Sequence, residues 1–289
     1  MNPSQLLEAW LLRQLPAPAG SWLRESISRL RGANTDRDLF LTVSLVPRKL
    51  GKADLDLGEA DLRDATRARA GWDPSGWSVD QAGRVLLLLA GGSEGSAFAL
   101  RLDQLCATAD IAELVAFYRG LPLYPDPSRH VLRAAEGVRT SMKPVFEAVA
   151  HRNPYPSEQF SEAAWNQMAL KAVFIGSTLD PIIGLDARAN PSLARMLCDY
   201  AHERWSAGRP VSPELWRCVG PFAAGPMLED LARVLTKGTD LEHAAAALAL
   251  FRSPDPEASM LLGPYAELVA DIASGQLNWQ RLASPGSAI

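Results

Sequence analysis

Apolar positions recur along this chain at helical spacing, three and four residues apart, in segments rich in Ala, Leu, Arg and Glu that end at Gly or Pro. No run alternates apolar and polar residues with the period of a strand. Helix starts are marked by Ser78 with Gln81 and Thr239 with Glu242, where a hydroxyl can take an orphan amide while the longer side chain folds back. Thr35 before Asp38 is a shorter-armed version of the same device. Gly32, Gly91-Gly92, Gly120, Gly208 and Gly238 each close an apolar stripe. The spacing predicts about a dozen short helices, too many for a simple four-helix bundle.

An all-α fold of stacked antiparallel helices follows, irregular and HEAT-like in places. Its best pair spans residues 240–253 and 259–274, joined by Ser253-Pro-Asp-Pro-Glu257. The starts at Thr35 and Ser78 stand 43 residues apart, inside the period of about 40–47 that such repeats use, but later starts do not keep it. Asp73-Pro-Ser-Gly76 and Asn153-Pro-Tyr-Pro-Ser157 are candidate internal boundaries. Neither is long enough for a free linker, so one domain over residues 1–289 is expected.

Composition narrows the class. With 289 residues, 47% of them hydrophobic, the chain can bury a large core, and disorder is excluded. A net charge of -4 gives no global basic surface, so nucleic acid is not an expected partner. Three cysteines, Cys106, Cys198 and Cys218, suit a reducing compartment better than a disulfide framework. The N-terminal apolar residues Leu6, Leu7, Trp10, Leu11 and Leu15 are interrupted by Glu8 and Arg13, which reads as an amphipathic helix and not a signal peptide. The longest apolar run, residues 244–251, is eight residues long against the roughly 20 that span a bilayer. The cytoplasm is the expected compartment, with any membrane link peripheral or through a partner.

Two motifs invite chemistry. Gly91-Gly92-Ser93-Glu94-Gly95 satisfies the G-x-S-x-G pattern of a nucleophile elbow, which needs a strand leading into a strained turn. The Leu-rich run before it is capped by Ser78 as a helix would be, so the glycines read as a loop between helices and Ser93 as catalytically silent. Cys198 and His202 stand one helical turn apart with Cys218 following, but without a CxxC or HExxH spacing. Cys198 reads as a small buried residue; neither a metal nor a cofactor is expected.

The stretch 165–205 is more informative. Apolar residues surround the axis of the predicted helix 165–175, leaving Asn166, Gln167 and Lys171 as its polar positions, where burial would be costly without partners. After Asn190-Pro191 a second helix, 192–206, places Leu193, Met196, Leu197, Tyr200, Ala201 and Trp205 on one face and Arg195, Asp199, His202 and Glu203 on the other. The spacing of Arg195 and Asp199 favours an ion pair. Arg204 falls on the apolar face and needs a carboxylate or an anion, and Asp186 is one possible partner.

In this stretch Trp165-Asn-Gln-Met168 with Lys171, Gly184-Leu-Asp186 with Arg188, Asn190-Pro191, Asp199-Tyr-Ala-His-Glu-Arg-Trp205, and Ser212-Pro-Glu-Leu-Trp216 with Gly220-Pro-Phe222 resemble the EboA family. The resemblance is dense over residues 165–222. It implies work in a bacterial and algal gene-cluster system whose other members resemble a membrane prenyltransferase, a sugar-phosphate cyclase, TIM-barrel hydrolase and isomerase relatives, and a phosphodiesterase. The implied task is the making or moving of a small metabolite across the inner membrane. Expected partners are that metabolite or other proteins of the cluster, the prenyltransferase-like membrane protein among them.

Three readings remain open from the sequence. An accessory protein would bind a metabolite or partner through Asn166, Lys171, Asp186, Arg188, Asp199, His202, Glu203 and Arg204. A pathway enzyme would use His202 and Glu203 as acid and base, with Lys171 or Arg204 holding an anionic or prenylated substrate. A scaffold would have no small-molecule site. Convergence of the polar groups on one pocket favours the first two; dispersal into separate pairs favours the third.

Overall fold

A computed structural model describes residues 1–32, 35–92 and 95–283. Ser93 and Glu94 of the G-x-S-x-G motif lie outside the described residues. Among the described residues there are 17 α-helices and no strand; an isolated bridge pairs Asp54 with Ser78. The chain divides into two compact units, Met1–Phe160 and Ser161–Ile289.

The first unit carries α1 (Pro3–Gln14), α2 (Ala17–Arg31), α3 (Asp36–Leu50), α4 (Glu59–Ala68) and α5 (Val79–Ala90). It continues with α6 (Gly95–Thr108), α7 (Ile111–Arg119), α8 (Val131–Arg139), α9 (Lys143–Ala150) and α10 (Tyr155–Gln159). Helix α5 is its axis, packed by α1, α2, α3 and α7, with every residue from Val79 to Leu88 buried except Gln81. The caps read from the sequence form here. Thr35 and Asp38 exchange hydrogen bonds at the start of α3, and the Gln81 side chain accepts the Ser78 N–H at the start of α5. The Ser78 hydroxyl turns instead to Asp80, 2.6 Å away. The amphipathic N-terminus folds as α1, burying Leu6, Leu7, Trp10 and Leu11, and Trp10 meets Trp72, which meets Trp77 in turn.

The Asn153-Pro-Tyr-Pro-Ser157 stretch is packed inside this unit. Asn153 is 3% exposed and donates to the carbonyls of Tyr118 and Ala148, both at 3.0 Å.

The second unit carries α11 (Glu162–Phe174), α12 (Pro191–Ser206), α13 (Pro226–Lys237), α14 (Asp240–Phe251), α15 (Pro256–Leu262), α16 (Ala266–Ala273) and α17 (Trp279–Ala283). Its axis is α14, whose residues 244–250 are all buried and which α13, α15, α16, α17 and the 3-10 turns Pro213–Cys218 and Gly220–Phe222 surround. Small side chains permit that crowding. A β-carbon at Gly220 would stand 2.5 Å from the Ala249 carbonyl oxygen, a backbone obstacle that cannot rotate away. The single helix expected over 259–274 is instead the pair α15 and α16. Pro264, which has no N–H to donate, interrupts it after Gly263.

Candidate functional site

The candidate polar residues of 166–204 all belong to the second unit, and each can be followed to its surroundings. Asn166, 3% exposed on α11, forms a reciprocal amide pair with Asn190. Its Nδ2 donates to Asn190 Oδ1 at 3.1 Å, and Asn190 Nδ2 donates back at 2.8 Å. Asn190 is also the N-cap of α12, its Oδ1 accepting the Leu193 N–H at 2.9 Å. One pair of side chains thus satisfies a buried amide and sets where α12 begins.

Between α11 and α12 runs a long segment without regular structure, whose path is held by the turn Pro213–Cys218. Asp186 pairs there with Arg217 and not with Arg204. The Arg217 Nε and one terminal nitrogen reach its two oxygens at 2.8 and 2.9 Å, and the other terminal nitrogen reaches Asp180 at 2.9 Å. Hydrogen bonding to Arg217 holds the Asp186 carboxyl below its ordinary range. Glu214, 7% exposed, accepts the backbone N–H groups of Leu179 and Asp180 at 2.8 and 3.2 Å. Burial pushes its carboxyl up, against the pull of those two bonds. Arg188 lays its guanidinium over the Trp165 ring, 4.7 Å from the centroid.

On α12, Arg204 donates from Nε to the Pro210 carbonyl at 3.0 Å, so a neutral backbone oxygen takes the place of the carboxylate or anion its position called for. His202 Nε2 lies 2.7 Å from Asp230 of α13. The Trp205 ring beside it stacks on Trp216, 5.8 Å between centroids at 26°, and Arg233 stands over it at 4.2 Å. Asp199 and Glu203 are exposed and make no ion pair among the described residues, so the expected Arg195–Asp199 pair is not formed. Two exposed charges in water gain too little to hold two side chains in one geometry. Lys171 is half-buried on α11, where burial lowers its ammonium below the usual lysine range.

Cys198, one turn before His202, is 5% exposed, and burial together with the charges of Asp230 and Asp199 pushes its thiol up to about 12. It stays protonated near neutrality and is no partner for a His–Asp nucleophile relay. All three cysteines are buried, and among the described residues no group of three His, Cys, Asp or Glu side chains is placed to hold a metal ion.

The polar residues of 166–204 are thus distributed among separate pairs: an amide lock, an arginine fork, a guanidinium on an indole, a histidine on a carboxylate. The sequence reading missed Asn190, Asp180, Glu214, Arg217, Asp230 and Arg233 as partners. Glu214 stood in the Ser212-Pro-Glu-Leu-Trp216 motif and Arg217 directly after it, but nothing local in the sequence says which distant carboxylate or amide each meets.

These features define an all-helical protein whose charged and amide side chains pin irregular connections to helices. No curated protein and no solved structure matches the chain. The chain belongs to the EboA family: the family described as metabolite traffic protein EboA matches residues 3–220. That match takes in every candidate residue above, while Asp230 and Arg233 lie beyond it. No helix of the described residues is long and apolar enough to cross a membrane.

Proposed function

We propose that the chain serves metabolite traffic as a helical accessory protein that carries out no chemical step, its polar groups of 166–204 holding its own fold and leaving binding to another surface. The observation that carries this reading is the dispersal of those polar groups into separate pairs, each closed within the protein. Asn166, Asp186, Arg188 and Arg204 are likewise each taken up by a group of the protein. The family description supports a role in traffic and names no reaction.

The His202–Asp230 pair at 2.7 Å is also what favours the second reading, an enzyme with His202 as acid or base. His202→Gln separates the two, because glutamine keeps a hydrogen bond to Asp230 but cannot move a proton at neutral pH. Thermal melting and complementation of a strain lacking the gene are the measurements. The accessory reading expects an unchanged melt and full pathway output; an unchanged melt with output lost would overturn it and return His202 to a functional site.

A further inference from the structure

In the first unit the ends of α7 and α9 bring two arginines onto one turn. The buried Asn153 donates to the Tyr118 carbonyl at 3.0 Å, which sets Arg152, the residue before it, beside Arg119, the last residue of α7. Both guanidiniums close on the Asp73-Pro-Ser-Gly76 turn. Arg119 Nη1 donates to the Gly76 carbonyl at 2.7 Å and to Gln81 Oε1 at 2.6 Å, and Arg152 Nη1 donates to the Ser75 carbonyl at 3.4 Å. Arg119 Nε and Nη2 and Arg152 Nη2 have no hydrogen-bond partner among the described residues.

The charges of this corner do not balance. Burial, and then the neighbouring charge of Arg152, push Arg119 below the usual arginine range, and no carboxylate offsets them. Asp73 keeps its negative charge: one oxygen accepts the Ser75 N–H at 2.9 Å, and the other lies 3.7 Å from Arg152 Nε. The other acids of the packed elements have nearer partners. Glu158 pairs with Arg69, Glu147 with Lys143 and Asp80 with Arg84, while Glu113 is bonded at the opposite end of α7. Two guanidiniums thus face one carboxylate. Arg152 is also held at a φ of 49° just after the C-cap of α9, a left-handed position that glycine or asparagine takes at lower cost. An arginine there, set beside a like charge, lowers stability twice over, as sites kept ready for a ligand do.

We propose that the corner formed by Arg119, Arg152 and the 73–76 turn binds the phosphate monoester of a small soluble metabolite, its dianionic head taking the unused nitrogens of the two guanidiniums. Donors from two separate forks suit a tetrahedral group with three terminal oxygens better than a planar carboxylate with two. The Arg152 side chain is 54% exposed, so the site opens to solvent. Among the described residues no large apolar side chain is exposed on 69–81 or 143–158, so a bilayer finds nothing there to insert. A part for this site in metabolite traffic rests on the accessory reading above; its anion chemistry does not.

The test is thermal unfolding of the full chain with glycerol phosphate at millimolar concentration, against acetate and chloride at matched ionic strength. The expected result is a saturable rise in the midpoint with the phosphate alone, roughly 3–5 °C at ten times the dissociation constant. Arg152→Gly should melt at or above the wild-type temperature without the anion and lose the rise. Arg119→Gln, which keeps a donor for the Gly76 carbonyl, should lose the rise as well. No saturable rise, or one of equal size with acetate, would overturn the proposal, as would a rise intact in Arg152→Gly. An Arg152→Gly chain melting several degrees below wild type would overturn it too, making the guanidinium a brace of the turn. So would binding to phosphatidic acid vesicles with no response to glycerol phosphate. If Arg152→Gly loses the phosphate response and still complements the deletion strain, the anion site stands and its part in traffic falls.

Discussion

Each unit sequesters an arginine, and the two use it differently. Arg84 of the first unit is 2% exposed on α5 and pairs with Asp80 one turn earlier on the same helix, while its Nε has no hydrogen-bond partner among the described residues. Arg217 of the second unit keeps 14% side-chain exposure and spends its fork on Asp180 and Asp186, 37 and 31 residues back along the chain. That pair within one helix fixes little the helix has not already fixed, and the reach to Glu113 of α7 is long, at 3.9 Å. A fork between a 3-10 turn and a long irregular segment decides where that segment runs.

The sharpest break of the comparison is at Arg84. Arg84→Met alone leaves the Asp80 carboxylate buried with only the Ser78 hydroxyl for company, and should cost about 3–5 kcal/mol in urea unfolding. Asp80→Leu with Arg84→Met should recover most of that loss, because apolar groups of similar volume commonly replace a buried pair without penalty. A double variant as unstable as the single would mean the pair is needed for more than its own neutralisation.

At Arg217 the expectation is reversed in kind. Arg217→Met should cost about 2–3 kcal/mol through three lost charge-assisted bonds, and adding Asp186→Asn should recover little, since the segment has lost its anchor. Limited proteolysis should then cut within residues 176–190. The pH dependence sharpens it further. Asp186 is held below its usual value of 3.8, so its stabilisation is full above that pH and disappears as pH falls through the lower folded value. Glu214 is raised above 4.5 and acts with opposite sign, its contribution full below that pH and lost as pH rises through the folded value. Unfolding midpoints across the acid range should therefore converge for wild type and Asp186→Asn at the lowest pH. Glu214→Gln should remove the decline that sets in above pH 4.5, and an unchanged slope would refute the assignment to Glu214.

The smallest effect belongs to Asn166. Asn166→Ala removes one half of the amide pair but leaves Asn190 its bonds to Leu193 and to the Arg188 carbonyl, so about 1–2 kcal/mol is expected. A loss near that of Arg84→Met would show that the amide pair carries the α11–α12 junction by itself.

How much of this was readable without coordinates depends on the distance over which each interaction acts. The caps at Thr35 and Thr239, the start of α12 at Asn190-Pro191 and the stops at Gly120 and Gly238 are local events within one turn of chain, and they stand where the pattern placed them. The all-α class follows from the same signals. The pattern of 165–175 predicts burial nearly all round, yet Phe174 at the end of α11 is 72% exposed, in a T-shaped contact with Tyr200. A helical wheel records direction from the axis and not how far along it the neighbours extend. Asp186, one possible partner for Arg204, is taken by Arg217 for a related reason, since any carboxylate nearby in sequence looks available until its own guanidinium is located. The neighbouring of Arg119 and Arg152 gave no sequence signal, because residues so far apart in the chain meet only through the turn that both hold.

The close approach of Gly220 to Ala249 bears on where the protein can be divided. The family match stops at residue 220, and the backbone it stops on rests against a helix that begins 20 residues later. A fragment carrying the whole matched stretch would lose α14 from against the turn Pro213–Cys218, which buries Leu215 and Trp216. In a cell such a fragment would be a client for proteases and chaperones, so the stretch of this chain that the family matches is shorter than the stretch that survives as a folded product.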